Sequence, residues 1–412
     1  MSLTPLISAR QAALGAITPA SPEPVPLPQA HGRFLARAVQ AERSLPGCDN
    51  SAMDGWAVRA EETRGATRDQ PARLRIVDTV YAGALPSRPV QPGEAARIFT
   101  GAPLPPGADA VVRQEAARAE ADGRVAVFIT VDPGHDIRRA GEEVLAGTAL
   151  FSAGQRVDSA VLGVLASLGA ATALVRPVPR VAVLATGDEL ISPGAPALPH
   201  QVYESNLVLV SALAREAGAE VAATERSRDE DAPLRAAITR LAQQAEVLVT
   251  TGGASVGDKD RVKRVLTELG ARFFVDGVAL KPGKPVAVAR LGETVVVVLP
   301  GNPGAATVAF DQLGRPLLLK RQGVLEERRR LRARLSEPRH KQAGLTYLIT
   351  ASVEHREGLP WARLRPQGAG QILQNVGAEG YAVLPPGRAD FAEGDEVELE
   401  LFDRPRYVAV EE

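Results

Sequence analysis

Between residues 180 and 325 the chain alternates short apolar runs with amphipathic stretches, and this alternation constrains the fold more than any other feature. The apolar runs fall at 181–185, 221–223, 246–250 and 294–299, and helical spacing falls near 206–217, 232–244 and 261–269. Such an order predicts a parallel sheet with helices on both faces. In sheets of that kind ligands sit beyond the carboxyl ends of the strands. Three turns leave strands there: 185–190 (ATGDEL), 250–258 (TTGGASVGD) and 300–303 (PGNP).

The second turn carries the most chemistry. Gly252, Gly253 and Gly257 let the backbone approach a ligand and point amides at it, while Thr251 and Ser255 add hydroxyls and Asp258 a carboxylate. A phosphate with a metal beside it suits such a turn; a plain strand-to-helix connection is the competing reading. Further carboxylates gather along the same expected edge: Asp188 and Glu189, Asp229 with Glu230 and Asp231, and Asp260. Magnesium takes oxygen ligands and binds through one or two carboxylates plus substrate phosphates, which this set matches. Asp231 precedes Ala232-Pro233 and reads more readily as a helix cap than as a ligand. The five histidines are scattered, which argues against zinc or iron and against a nucleophile paired with histidine.

Lysine usage sharpens the picture. Only six of the 48 basic residues are lysine, and four of the six (Lys259, Lys263, Lys281, Lys284) lie between 259 and 284. An ammonium is a compact point charge where arginine offers a planar fork. Lys281-Pro282-Gly283-Lys284-Pro285 therefore reads as a rigid turn presenting two such charges to an oxyanion such as phosphate or molybdate, with a solvated hairpin as the alternative. Arg138, in 138–143 (RRAGEE), is either a second anion contact or part of a surface charge run. Thr100 ends a strand-like run, and 49–56 (DNSAMDGW) has the make-up of a recognition loop.

At 412 residues the chain is expected to hold two to four domains. Short strand-like runs between proline and glycine turns make residues 45–136 an inserted small β domain. Helical patterns at 6–41 and 159–168 flank it and suggest a discontinuous N-terminal domain, 1–44 plus 137–176. The α/β domain then spans 177–326 and another small β domain 327–412. A net charge of −1 removes any case for nucleic acid that rests on bulk electrostatics, leaving only a local basic patch as an alternative. No stretch approaches 18 uninterrupted apolar residues, so neither a nucleic-acid nor a membrane partner is expected. With Cys48 as the sole cysteine and no export pattern in 1–19, the expectation is a cytoplasmic protein.

Seven ordered motifs carry a resemblance: DNSAMDGWA (49–57), IFTGAP (98–103), IRRAGEE (137–143), TGDEL (186–190), TGGASVGD (251–258), LKPGKP (280–285) and PGNP (300–303). Together they resemble the molybdopterin molybdenumtransferase family, MoeA in bacteria and the E domain of gephyrin in animals. The resemblance implies a multidomain α/β plus β fold: a central molybdopterin-binding sheet domain, an inserted small β domain and a C-terminal β-barrel-like domain. It implies a homodimer whose site lies between the α/β domain of one subunit and the inserted domain of the other. The implied reaction, with Mg2+ as helper, places molybdate on adenylylated molybdopterin and releases AMP. By motif, Asp54, Glu189, Asp229 and Lys281 would be catalytic. Thr100, Arg138, Glu143, Thr251, Gly252, Gly253, Ser255, Gly257, Lys284, Pro300 and Asn302 would hold substrate, and Asp188, Glu189, Asp229 and Asp258 or Asp260 would hold metal. A molybdopterin adenylyltransferase is an implied partner.

The chain departs from the family pattern at Glu143, where aspartate is usual, at Gly277, where a basic residue is frequent, and at Ala369, where serine is common. The shared turns also fit a molybdopterin adenylyltransferase, although the additional domains speak against it. Gly277 and Ala369 motivate a third reading, an inactive pterin-binding scaffold.

Overall fold

Val181 and Val183 face one side of their strand and Ala182 and Leu184 the other, and all four are fully buried, the signature of a strand covered on both faces. The computed structural model describes residues 3–253, 260–366, 368 and 370–402. It divides into two compact units, one of Met1–Pro24, Gly32–Ala36 and Leu174–Glu412, the other of Val25–His31 and Arg37–Ala173.

The first unit is built on a six-stranded sheet. Its strands are β1 (Arg180–Thr186), β2 (Glu220–Ser227), β3 (Val247–Thr251), β4 (Arg272–Asp276), β5 (Ala287–Leu291) and β6 (Thr294–Leu299), in the order β2-β1-β3-β6-β5-β4. Helices α1 (Asn206–Glu216) and α2 (Asp231–Ala242) are followed by α3 (Arg261–Glu268) and α4 (Pro303–Ala309). Residues of α1 and α4 share a core on one face with Leu6, Ala9 and Ala13 of the helix Leu6–Gly15. On the other face α2 and α3 bury Leu234, Ile238, Val262 and Leu266. The four strands β2, β1, β3 and β6 are parallel, as the alternation predicts. Of the other two only β5 is reversed: it is antiparallel to both β6 and β4, so β4 points the same way as the four. The reason is local: a two-residue turn with Gly292 at φ 58° joins β5 to β6, and so short a link permits only an antiparallel return.

Leu359–Leu364, Arg330–Leu335, Glu396–Leu401 and Gly380–Leu384 follow Thr346–Arg356 around a second sheet, which closes where Thr346–Arg356 meets Gly380–Leu384. This five-strand barrel is filled by Leu335, Ile349, Ala362, Leu384 and Leu399. A sixth strand, Leu280–Lys281, is hydrogen-bonded to its edge in parallel.

In the second unit, strands Ala110–Arg113, Gly55–Val58, Glu94–Ile98, Ala72–Val80, Arg124–Val127 and Ala117–Ala119 lie side by side in that order. Trp56, Val58, Val112, Val125 and Val127 form its core. The helix Ser159–Ser167 also belongs here, capped by Asp158, whose carboxylate accepts from the Val161 amide at 2.9 Å. The multidomain α/β plus β class expected from the sequence is the one observed.

Candidate functional site

Three turns meet at the carboxyl ends of β1, β3 and β6. Gly252 leaves β3 at φ 83°, and a Cβ there would collide with the Thr186 carbonyl oxygen at the end of β1. A Cβ on Gly301 would come within 3.3 Å of the Gly252 Cα. Glycine at 252 thus has a physical cause, since no side chain fits between the ATGDEL and TTGG turns. Gly370 approaches the same place, because a Cβ on it would lie 3.9 Å from Asn302 Oδ1. Thr251 and Pro300 are buried in this edge. Gly253 packs against Val262 and Thr186.

Polar groups at this edge are left without partners among the described residues. The hydroxyls of Thr186 and Thr250, on neighbouring strands, are buried with no hydrogen bond among the described residues. Buried polar groups usually find partners, so hydroxyls left open at one edge are groups that a ligand there can satisfy. Asp188 Oδ1 accepts from the Asp229 amide at 3.1 Å, which ties the turns carrying these two residues together, and the buried Asp229 Oδ1 likewise has no hydrogen bond among the described residues. Arg261 steadies Asp229 by donating to its carbonyl and standing 3.8 Å from its carboxylate. Glu189 folds its carboxylate back against Gly187.

Two hard carboxylates with a spare buried oxygen fit magnesium, which completes its shell with water and phosphate. Among the described residues no three His, Cys, Asp or Glu side chains are already gathered into a cage. Asp260 has a different setting. It caps α3, accepting from the Lys263 amide at 3.2 Å, and pairs with the Lys263 ammonium at 3.1 Å. Burial pushes its carboxyl up from the ordinary value. Ser255, Gly257 and Asp258 lie outside the described residues.

The lysines sort by partner. Lys263 is held by Asp260 and by Asp276 at 2.7 Å, and Lys320 donates to the Leu14 carbonyl. Lys281 and Lys284 are exposed, and no carboxylate among the described residues pairs with either. Two ammonium groups on one short turn, neither neutralised by a described carboxylate, suit an oxyanion.

In the second unit three motifs knit together. Ile137 and Arg138 pair with Ser51 and Asn50, and the Gly101 amide donates to the Ser51 carbonyl at 2.8 Å. Asp54 Oδ1 accepts from both the amide and the hydroxyl of Thr100 at 2.8 Å. Those hydrogen bonds, the amide first, hold the Asp54 carboxyl below its ordinary value. Arg138 lies between Glu142 at 2.9 Å and Glu143 at 3.6 Å, and the longer side chain of glutamate at 143 still reaches it. Asp49 ties the loop to Ala140 and Arg139.

Comparison with known proteins decides the family. Residues 4–169 match the MoeA N-terminal region (domain I and II), 182–320 a probable molybdopterin binding domain, and 332–402 the MoeA C-terminal region (domain IV). Molybdopterin molybdenumtransferase 2 of Mycobacterium tuberculosis is 39% identical over 92% of this chain and 94% of its own length. This chain belongs to the molybdopterin molybdenumtransferase family. The molybdopterin molybdenumtransferase of Bacillus subtilis is 33% identical over 90% of this chain and 87% of its own. The solved structure of a molybdopterin biosynthesis MoeA protein from Pyrococcus horikoshii superposes with a TM-score of 0.82 at 30% identity, covering 98% of this chain and 100% of that one. Family membership makes the chain a transferase of molybdenum cofactor biosynthesis.

Two residues of the site escaped the sequence reading. Asn206, at the start of α1, donates to the Gly301 carbonyl at 2.7 Å, and its buried Oδ1 has no partner among the described residues. Arg261 anchors Asp229. Each opens a helix beside a candidate turn, and a polar residue at that position is the signal available in the sequence.

Proposed function

We propose that this chain places molybdate on the dithiolene of adenylylated molybdopterin and releases AMP, with Mg2+ as the helper ion. Supporting this reading above all is the combination, within one unit, of an edge carrying Asp188, Asp229 and hydroxyls without partners among the described residues with a turn carrying two lysines that no described carboxylate neutralises. Phosphate and cation suit the first feature, and an oxyanion the second. The amides of Gly252 and Gly253 hold the pterin-linked phosphate, Lys281 and Lys284 hold molybdate, and Asp188, Glu189 and Asp229 face the metal, with Asp258 or Asp260 as a further ligand. Mg2+ would neutralise phosphate charge as the adenylate leaves. With no side-chain nucleophile assigned, positioning and charge carry the acceleration.

The four-domain division, 1–44 plus 137–176, 45–136, 177–326 and 327–412, belongs to this proposal, as do the cytoplasmic setting and the homodimer. So does the role of Asp54, Thr100, Arg138 and Glu143 as residues lent by a second subunit. A molybdopterin adenylyltransferase would supply the adenylylated pterin.

Purified protein mixed with adenylylated molybdopterin, molybdate and Mg2+ is expected to release AMP and yield cofactor that activates a molybdenum enzyme. Failure of both would overturn the proposal. Formation of adenylylated pterin from ATP and molybdopterin would assign the chain to the preceding step instead. Tight pterin binding without turnover would make it a scaffold.

A further inference from the structure

Lys281 belongs to the strand Leu280–Lys281, and that strand pairs with the barrel rather than with the six-stranded sheet of the α/β domain. Lys281 is in register with Tyr347, and the parallel pairing sets both side chains on the same side. Its ammonium lies 5.2 Å from the centre of the Tyr347 ring. That is within the range at which the negative face of an aromatic ring attracts a cation.

The ring itself is firmly held. Tyr347 is only 4% exposed, and its hydroxyl accepts from the Gln342 amide at 3.2 Å. Beside it stands Lys341, 2% exposed, whose ammonium is 5.1 Å from the same ring centre and donates to the carbonyl of Leu345 at 2.8 Å. Burial pushes the Lys341 amine down from its ordinary value. Lys341 braces the 341–347 segment from inside, and that segment fixes the ring on which the exposed Lys281 leans.

We propose that Tyr347 is a positioning residue for the oxyanion: its ring fixes the Lys281 ammonium, so that the C-terminal barrel sets the affinity for molybdate although it supplies no ligand through this residue. A long, flexible lysine loses much rotamer freedom when it binds an anion. Resting the ammonium on a rigid ring removes part of that loss beforehand. The proposal rests on the assignment of Lys281 to molybdate given above.

Three kinds of variant test it, with separate KM values measured for molybdate and for adenylylated molybdopterin. Tyr347→Leu is expected to raise the molybdate KM about five-fold while leaving the pterin KM unchanged, and Tyr347→Phe to retain the wild-type value. A ring that only fills the barrel would lower thermal stability and disturb both substrates alike, and that pattern overturns the proposal. If Tyr347→Leu does not fold, phenylalanine with increasing ring fluorination at 347 keeps size while weakening the ring's attraction for cations. The molybdate KM is then expected to climb step by step at constant melting temperature, and a flat series overturns the proposal. Lys281→Met separates the two assignments: an unchanged molybdate KM there defeats the oxyanion role of Lys281 itself, whereas an effect in Lys281→Met with none at Tyr347 defeats only the positioning role.

Discussion

Asp54 shows how much one side chain's surroundings decide. Both donors on its Oδ1 come from Thr100, and the amide contributes most to holding the carboxyl below its ordinary 3.8. Because the folded value is depressed, this interaction stabilises the fold at pH values above the unfolded value and is lost as pH falls through the folded one. Thr100→Ala keeps the amide and loses the hydroxyl, so the Asp54 carboxyl is expected to titrate at higher pH than in wild type, though still below its ordinary value. Carbon-detected NMR of the Asp54 carboxyl measures this directly, and an unmoved titration would mean that the hydroxyl contributes nothing. Gly277 is explained at the same scale. It stands at φ 81°, where a side chain would strain the backbone, so in this chain the position serves the backbone instead of presenting a charge.

Among the elements, α3 poses the sharpest question, because its cap and the proposed metal site each draw on an aspartate. Asp260 spends both oxygens on Lys263, Oδ1 on the amide and the buried Oδ2, itself without a hydrogen bond, on the ion pair with the ammonium, whereas the buried Oδ1 of Asp229 has neither a hydrogen bond nor an ion pair among the described residues. Asp260→Asn, which preserves the cap, is expected to leave both the melting temperature and the Mg2+ half-activation concentration near wild type. Asp260→Ala should cost about 1 kcal/mol of stability. Asp229→Asn should raise the Mg2+ requirement roughly ten-fold or more with little change in melting temperature. Magnesium titration of activity on the three variants checks this, and a raised requirement in Asp260→Asn would return Asp260 to the metal. Legibility in the sequence followed the range of the interaction. The parallel strands and α1 to α3 were readable because periodicity is a local property, and the expected strand at 294–299 is the observed Thr294–Leu299. The helical pattern expected over 6–41 ends at Gly15, and Glu23–Pro26 is extended, since the prolines from 19 onward cannot continue a helix. Glycine turns and carboxylates were visible as residues. The attachment of Leu280–Lys281 to the barrel was not, because register between segments far apart in sequence leaves no local trace.

On the scale of the whole first unit, the α/β layer and the barrel share a core. Leu348 and Tyr381 of the barrel lie in the same buried cluster as Val278, Leu280, Phe310 and Leu313, so apolar surface on each side is removed from water only when both are folded. A shared core of this kind makes two sequence-distinct regions melt together. Phe310 is 1% exposed, and replacing it with alanine should cost about 3–5 kcal/mol. The chain has two tryptophans, and Trp361 lies on the barrel strand Leu359–Leu364. In a Trp56→Phe background its fluorescence therefore reports the barrel alone. Adding Phe310→Ala on the α/β side is expected to lower the Trp361 unfolding midpoint by several degrees, in step with the loss of helical circular dichroism. If the helices melt early while the Trp361 midpoint stays in place, the two layers fold independently, and the barrel's hold on Lys281 is a contact between separate modules.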